Sequence, residues 1–320
     1  MNITTRLICT VLLTTPAWVG AQTYPSKQLR VVIGFPAGGP IDIVGRMLSP
    51  RLAEAMGQSV IIDNRGGAGG TLGVDNVAKS SPDGYSIIMT STSLTVYPHV
   101  FLKLPFDIYR DLSPVTMVTT TPELVTIHPS IPAKNVKELV ALAKARPGQL
   151  NAASTGNGGL AHLVVELFKS ATNTNIVHVP YNGAAPAVTA TMGGHAQMLC
   201  ADLPVLLPYV QSGKLRALMV TVGQRSNLLP DVPSSVDAGI PKVDALNWYG
   251  FFVPAKTPRD VIDKLNAGVN KALSEKELRD RLIARGADPA PGTPEQLAAM
   301  VKTDYAKWGV VVKAAGVKLD

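Results

Sequence analysis

The sequence predicts an α/β protein of two lobes, and three observations support this prediction. From Leu29 onward, short apolar runs alternate with longer amphipathic segments, which is the pattern of strand–helix units. A glycine-rich turn follows a strand in each half of the chain, at residues 35–42 and 154–161. Two extended segments, 118–125 and 247–253, run between the halves without a helical connector. We therefore expect two lobes joined by two strands.

The predicted strands are short, apolar or β-branched, and bounded by glycine, proline or asparagine. One of them contains Cys200, whose apolar neighbours indicate a core residue rather than a nucleophile or metal ligand. We place the first lobe at residues 22–122 and 247–320 and the second at residues 123–246. The predicted strands cover residues 29–35, 59–63, 85–89, 176–179, 196–201 and 215–221.

The predicted helices carry clear start signals. Asn135 stands three residues before Glu138 as a capping pair, and that helix is expected to stop at Pro147-Gly148. Thr257 and Thr293 each precede a proline, and we expect each hydroxyl to cap a long helix. Both C-terminal helices repeat apolar residues at helical spacing, so each should bury one stripe against the first lobe.

The composition and the first residues predict an exported globular protein. Of the 320 residues, 46% are hydrophobic and 17% are charged, which excludes a disordered or collagen-like chain. Arg6, an apolar run over residues 7–19 and a small-residue site ending at Ala21 predict a signal peptide at residues 1–21. After cleavage only Cys200 remains, so no internal disulfide can form. No later run is long enough to span a membrane.

Charge and motifs argue against nucleic-acid binding, catalysis and metal binding. The net charge is +7, but Lys and Arg are scattered singly, without the cluster that a nucleic-acid site requires. We expect no cofactor and no metal, because no Walker, zinc-protease or Cys-pair motif is present and the histidines lack ligand spacing. Residues 156–161 match a dinucleotide pattern, yet no acidic residue follows about 20 positions later.

The two glycine-rich turns predict an anion site shared by the lobes. Each turn feeds the positive end of a helix, where backbone N–H groups are free to bind an anion. Neither turn contains Lys or Arg, so a carboxylate suits them better than a polyphosphate. A tight turn that needs glycine only for its backbone is the alternative for each. The candidate ligand residues here are Phe35, Gly38, Gly39, Pro40, Asp42, Ser154, Thr155, Gly158 and Gly159.

Three further positions are candidates at the same crevice. Ser91 and Thr92 follow a strand and have hydroxyl groups that can donate to a ligand. Asp202 ends another strand, where it would either orient a ligand or cap the helix that begins at Leu203. The glycine-rich stretch at residues 65–70 precedes a short helix near Thr71; it either lines the same crevice or, as we favour, is a structural turn.

In these residues and in several further segments, the sequence resembles the Bug-type periplasmic solute-binding proteins, which are the extracytoplasmic receptors of tripartite tricarboxylate transporters. The resemblance implies a type II periplasmic-binding fold that closes around a small carboxylate in the periplasm. Family ligands include dicarboxylates, citrate-like acids, acidic amino acids and aromatic acids. The resemblance spans nearly the whole mature chain and is carried by residues 24–27, 35–42, 64–70, 81–85, 151–162, 178–181, 213–217, 229–233 and 254–258.

This sequence departs from the family pattern at several loop positions. Pro40 and Ile41 stand where the family commonly has Ser, Thr or Gly, and Gly159 stands where Ser or Thr is common. Fewer hydroxyl donors leave the carboxylate to backbone amides and water. We therefore expect a ligand with an apolar or aromatic body.

The main functional prediction is a non-catalytic, monomeric receptor that delivers a small carboxylate to membrane transporter subunits. It binds no nucleic acid and is not inserted in the membrane after signal cleavage. One alternative is a ligand-dependent sensor subunit of a membrane signalling protein. Another is a hydrolase that uses His162 with Ser154 or Asp202, although the sequence offers no complete catalytic set.

Overall fold

The computed structural model describes residues 24–319, and the predicted signal segment, residues 1–21, lies outside this range. Strands and helices alternate along the described chain, as the sequence predicts. The strands are β1 (Leu29–Ile33), β2 (Val60–Asn64), β3 (Ser86–Ser91), β4 (Leu112–Ile127), β5 (Asn151–Ser154), β6 (Val177–Pro180), β7 (Met198–Asp202), β8 (Arg216–Val220), β9 (Leu246–Pro254) and β10 (Asp288–Pro289). The helices are α1 (Pro40–Met56), α2 (Thr71–Ala78), α3 (Ser93–Val100), α4 (Val136–Ala145), α5 (Leu160–Thr172), α6 (Ala184–Met192), α7 (Leu203–Gln211), α8 (Arg259–Ser274), α9 (Lys276–Ile283) and α10 (Pro294–Ala315).

The helix caps confirm two of the three predicted signals. The Asn135 side chain accepts a hydrogen bond of 2.9 Å from the Glu138 amide at the start of α4. Thr293 and Gln296 form a reciprocal capping box at the start of α10. The Thr257 prediction is wrong, because α8 begins at Arg259 and the buried Thr257 hydroxyl has no hydrogen-bond partner. The Thr-Pro pair sits one residue too early for the hydroxyl to reach the first turn.

Strand β4 belongs to two groups of strands and joins them. Its residues 112–122 pair antiparallel with β9, whereas residues 123–127 pair antiparallel with β7. The order across the sheet is β2-β1-β3-β9-β4-β7-β5-β6, and β8 and β10 also pair with β4. The two segments expected to run between the halves are thus strands β4 and β9. The lobe limits at 122/123 and 246/247 remain predictions.

Within each group the consecutive β–α units are parallel. β1 lies between β2 and β3, and β5 lies between β6 and β7, with all four pairings parallel. Parallel strands place the loops that follow them at one edge of the sheet, and ligands of open α/β sheets bind outside that edge. The loops after β1 and β5 therefore reach the region where the two groups meet.

The C-terminal helices divide their packing between the two groups. Helix α8 buries Val261, Leu265 and Val269 in the same core as Leu48 and Leu52 of α1, as predicted. Helix α10 follows the prediction only in its first half, where Leu297 and Val301 pack with Tyr97 and Trp248. Its second half buries Trp308 and Val312 in the core that contains α5 and Cys200, so α10 spans both groups.

Candidate ligand-binding site

A cavity lies where the loops after β1 and β5 approach each other. The space in it that water-sized groups can occupy is about 40 Å³. Within the described chain, no lysine or arginine contributes to its wall. The wall is formed by Phe35, Pro36, Gly39, Pro40, Ile41, Ser91, Ser93, Glu123, Thr155, Leu160, Ala161, Gly183, Ala184, Asp202, Asn247 and Tyr249.

Asp42 fixes the shape of the first loop. Its carboxylate accepts hydrogen bonds from the Gly38 amide at 2.8 Å, Arg46 Nε at 2.9 Å and Asn64 Nδ2 at 2.9 Å. Burial raises the pKa of Asp42, but these donors outweigh burial and hold the pKa below its usual value. The Asp42 carboxylate is thus ionised and holds the loop in place. The Gly38 amide already donates a hydrogen bond to this carboxylate, so it is not available to a ligand.

The second loop is braced by two stacked histidines. The rings of His162 and His178 lie parallel, with centroids 3.8 Å apart. His178 Nε2 is hydrogen-bonded to Ser154 Oγ at 2.6 Å, and His162 Nδ1 accepts the Gly158 amide at 3.2 Å. Burial lowers the pKa of His162 to about 4 and that of His178 to about 3, so both rings are neutral at pH 7. Neutral rings leave the loop without any positive charge beyond the helix dipole.

Three helix N-termini converge on the cavity. Helix α1 begins with Gly39 as N-cap, α5 with Gly159 and α6 with Gly183, and none of the three has a side-chain cap. First-turn amides have no partner inside their own helix, and the helix dipole makes this end partially positive. At α5 the Leu160 amide is already used, because it donates to Ser93 Oγ at 3.1 Å. The remaining amides give the cavity its potential for binding an anion without a cationic side chain.

The floor of the cavity holds a buried carboxyl pair. Glu123 on β4 lies directly opposite Asp202 on β7 in the antiparallel pairing, and the two are 1% and 5% exposed. Asp202 accepts a hydrogen bond of 2.7 Å from Asn247 Nδ2. Burial, and then the charge of Asp202, raise the pKa of Glu123 well above its usual range. Burial also raises the pKa of Asp202 to about 6, against the opposing effect of its polar neighbours Asn247 and Tyr249.

Six of the twelve predicted ligand residues lie on the cavity wall, and six do not line it. Asp202 is on the wall and makes no side-chain cap for α7, so the capping alternative is wrong. Thr92 instead ties α3 to β9, because its amide donates to Asn247 Oδ1 at 3.2 Å and its hydroxyl accepts the Trp248 amide at 3.1 Å. On the wall are Phe35, Gly39, Pro40, Ser91, Thr155 and Asp202; the residues that do not line it are Gly38, Asp42, Thr92, Ser154, Gly158 and Gly159. Contact of any of them with a ligand remains a prediction.

Sequence reasoning missed the residues that reach the cavity from the middle of the fold. Glu123, Asn247 and Tyr249 lie on the two joining strands, whose positions near the cleft were predicted without their side chains. The start of α6 was also missed, although Gly183 follows a strand just as the two recognised glycine turns do. The repeated strand–glycine–helix pattern was the available signal for α6.

The glycine-rich stretch at residues 65–70 has a structural role and also faces the crevice. A Cβ at Gly70 would lie 2.5 Å from the Tyr97 hydroxyl oxygen, so the stretch packs tightly here. Residues 67–70 line a second cavity that shares Phe35, Pro36, Thr155 and Gly183 with the first. The stretch is therefore a tight turn that also lines the crevice, which was the alternative left open by the sequence.

The described residues lack two other kinds of feature. Across residues 24–319, no helix combines the length and apolarity that a membrane span requires. In the same range, no three His, Cys, Asp or Glu side chains are grouped so that they would hold a metal ion.

Comparisons with known proteins place this two-lobed α/β architecture in the class of periplasmic solute-binding proteins. The profile of the family described as "Tripartite tricarboxylate transporter family receptor" (TctC) matches residues 44–317. Protein BugT of Bordetella pertussis is 35% identical over 303 residues, which cover 94% of this chain and 93% of BugT.

Two solved structures from Rhodopseudomonas palustris are similar over almost their whole length. Rpa4515 with adipate is 31% identical with a TM-score of 0.89, covering 92% of this chain and 99% of that chain. MatC with bound malate is 31% identical with a TM-score of 0.87, covering 90% of this chain and 100% of that chain.

The chain belongs to the tripartite tricarboxylate transporter receptor family. Receptors of this family are periplasmic solute-binding proteins and not enzymes, and the predicted type II fold is confirmed. The hydrolase alternative is wrong, and its proposed pairing is also absent, because Ser154 is hydrogen-bonded to His178 instead of His162.

Proposed function

We propose that this receptor captures a small carboxylate between its lobes and delivers it to a membrane transporter of the tripartite tricarboxylate type. The observation that carries the proposal is the convergence of three helix N-termini on one cavity whose described wall has no lysine or arginine. Amides and dipoles of this kind bind a single carboxylate well. The relatives with adipate and malate support the same ligand class.

The ligand body is expected to be apolar. Phe35, Pro36, Pro40 and Ile41 form one side of the cavity, and Leu160 with Ala161 faces it from α5. An alkyl chain or aromatic ring placed here would bury apolar surface, at about 25 cal/mol for each Å² removed from water. A ligand whose body is covered with hydroxyl groups would lose hydrogen bonds to water without replacing them.

Ligand capture is tested by thermal unfolding of the full chain, exported, purified and refolded so that no co-purified ligand remains. The panel contains monocarboxylates, dicarboxylates, tricarboxylates, amino acids and aromatic acids. A ligand at 100 times its dissociation constant adds about 2.7 kcal/mol of stability, which raises Tm by several degrees. No shift with any acid, in a protein whose refolding is shown by its cooperative transition, would overturn the carboxylate proposal.

Delivery to a transporter is tested separately in cells. Deleting the receptor should abolish uptake of the bound acid at low external concentration, and wild-type receptor should restore it. Normal uptake in the deletion strain would contradict a transport role. A loss of a ligand-induced transcriptional response, with uptake unchanged, would favour the sensor alternative. Sedimentation of the purified receptor, with and without ligand, tests the expectation of a monomer.

A further inference from the structure

The floor of the cavity holds two carboxyl groups, and no described lysine or arginine lies on the wall beside them. Glu123 and Asp202 face each other there with both carboxyl groups almost fully buried. Asn247 donates one hydrogen bond to Asp202, and no cationic side chain of the described chain lines the cavity. Buried carboxyl groups are normally paired with a cation or fully hydrogen-bonded.

One buried polar atom at this floor has no hydrogen-bond partner. It is Glu123 Oε2, whose residue is 1% exposed and lies on the cavity wall. Tyr249 comes from a third strand, β9, and its hydroxyl faces Asp202, where hydrogen bonding opposes the rise in the pKa of that carboxyl. The Tyr249 oxygen can still accept a hydrogen bond. Leaving a buried group unsatisfied costs about 1–3 kcal/mol, more when it is charged. The unpartnered Glu123 oxygen therefore points to a group supplied by the ligand.

We propose that the preferred ligand carries an ammonium group that binds at Glu123, Asp202 and Tyr249 while its carboxylate lies at the helix N-termini. This inference rests on the proposed function and adds the second group of the ligand. An ammonium group offers three N–H donors, and oxygen atoms of these three side chains can accept them. One positive charge also offsets the negative charge of the carboxyl pair.

A second ligand carboxylate is disfavoured at this floor. It would bring a further negative charge to a pair that already repels itself, in a place where no described cation lies within the wall. A plain alkyl end would leave Glu123 Oε2 unsatisfied. The geometry therefore separates three ligand classes that share one carboxylate and differ only at the other end.

Matched ligands test this difference. The first set is hexanoate, adipate and 6-aminohexanoate, and the second is butanoate, succinate and 4-aminobutanoate. Affinities are measured by calorimetry on the refolded full chain. The amino acid of at least one set should bind at least tenfold more tightly than both of its counterparts. Equal or tighter binding of the diacid or the plain acid would overturn the inference and leave the carboxylate proposal standing. Failure of all six acids to bind would also overturn the inference, and the wider thermal-unfolding panel then decides the carboxylate proposal.

Variants of the floor residues test whether these side chains cause the preference for the amino acid over the diacid and the plain acid. Glu123→Gln should reduce the preference for the amino acid at least tenfold and leave the affinity for the plain acid unchanged. Asp304→Asn is the matched control, because Asp304 is a buried carboxyl that accepts Trp248 Nε1 at 2.7 Å and is absent from the cavity wall. It should leave the preference unchanged.

The outcome must not depend on one variant. Tyr249→Phe removes one acceptor of the ammonium group, together with the hydroxyl that faces Asp202, so it should weaken amino acid binding several-fold. Cooperative unfolding of each variant confirms its fold. A full preference for the amino acid in both Glu123→Gln and Tyr249→Phe would overturn the inference.

Discussion

Replacing Asp202 by Asn is expected to stabilise the ligand-free protein at neutral pH. Asp202 is 5% exposed on the cavity floor, and burial raises its pKa from 3.8 to about 6. An asparagine has nearly the same shape and carries no charge. Its side-chain oxygen can still accept the hydrogen bond that Asn247 donates at 2.7 Å. The substitution therefore removes a buried ionisable group without removing its partner.

The size of the effect follows from the two pKa values. A tenfold change in proton affinity is worth about 1.4 kcal/mol, so a rise from 3.8 to about 6 destabilises the fold by about 3 kcal/mol above pH 6. The folded protein binds this proton more tightly than the unfolded chain does, so the penalty grows as the pH rises from about 4 to 6. The variant should gain about 3 kcal/mol at pH 7 and almost nothing near pH 4.

Urea unfolding of wild type and variant at several pH values measures this difference. The control is Asp42→Asn, the same chemical change at a carboxylate whose pKa the surrounding donors lower. Asp42→Asn should destabilise the protein at pH 7, by about 1–3 kcal/mol, and this loss should shrink as the pH falls. If Asp202→Asn destabilises the protein at pH 7, or if its effect is the same at pH 4.5, the electrostatic reasoning is refuted.

Three other outcomes are expected. Gly39→Val should reduce ligand affinity at least 100-fold, because Gly39 lies on the cavity wall. Its Tm should be unchanged, because the φ of −75° suits valine and a Cβ would lie 3.4 Å from the Pro36 carbonyl oxygen. Undiminished affinity by calorimetry would show that this loop does not contact the ligand. His162→Gln should be less stable than wild type at pH 7, and this difference in the free energy of unfolding should shrink by about 3 kcal/mol by pH 4. The reason is that the His162 pKa is about 4 in the folded protein and 6.5 in the unfolded chain, so wild type loses stability as the pH falls and the unfolded chain binds protons. A difference that is independent of pH in urea titrations would contradict this. Gly70→Ala should lower Tm by several degrees, because φ is +105° and a Cβ would lie 2.5 Å from the Tyr97 hydroxyl; an equal loss in Gly194→Ala, where nothing lies within 4 Å, would show that strain alone acts.

The buried floor suggests a balance between stability and binding. Glu123 and Asp202 destabilise the empty receptor, and the same two groups would discriminate among ligands. Strain or unfavourable burial at a functional site is common, because surrounding packing holds groups in positions that they would otherwise leave. Here the surrounding packing is strong, since residues 121–127 of β4 are all buried.

The sequence by itself determined the local structure and the family. The glycine turns before α1 and α5, the caps at Asn135 and Thr293, and the strand–helix alternation all depend on neighbours within a few residues. Such signals are present in the sequence because helix starts and tight turns are satisfied by nearby backbone and side-chain groups. For the same reason the resemblance to solute-binding receptors is carried by short contiguous segments of the chain.

Only the tertiary structure decided which side chains face the ligand. Glu123 lies in a stretch of β4 that is buried on both faces, so no alternation of polar and apolar residues shows which way it points. Asp202 could have capped α7, and its actual partner, Asn247, is distant in sequence and comes from β9. Ser154 likewise pairs with His178 across two adjacent strands. These choices depend on strand register and cross-strand hydrogen bonds, which no local pattern of residues encodes.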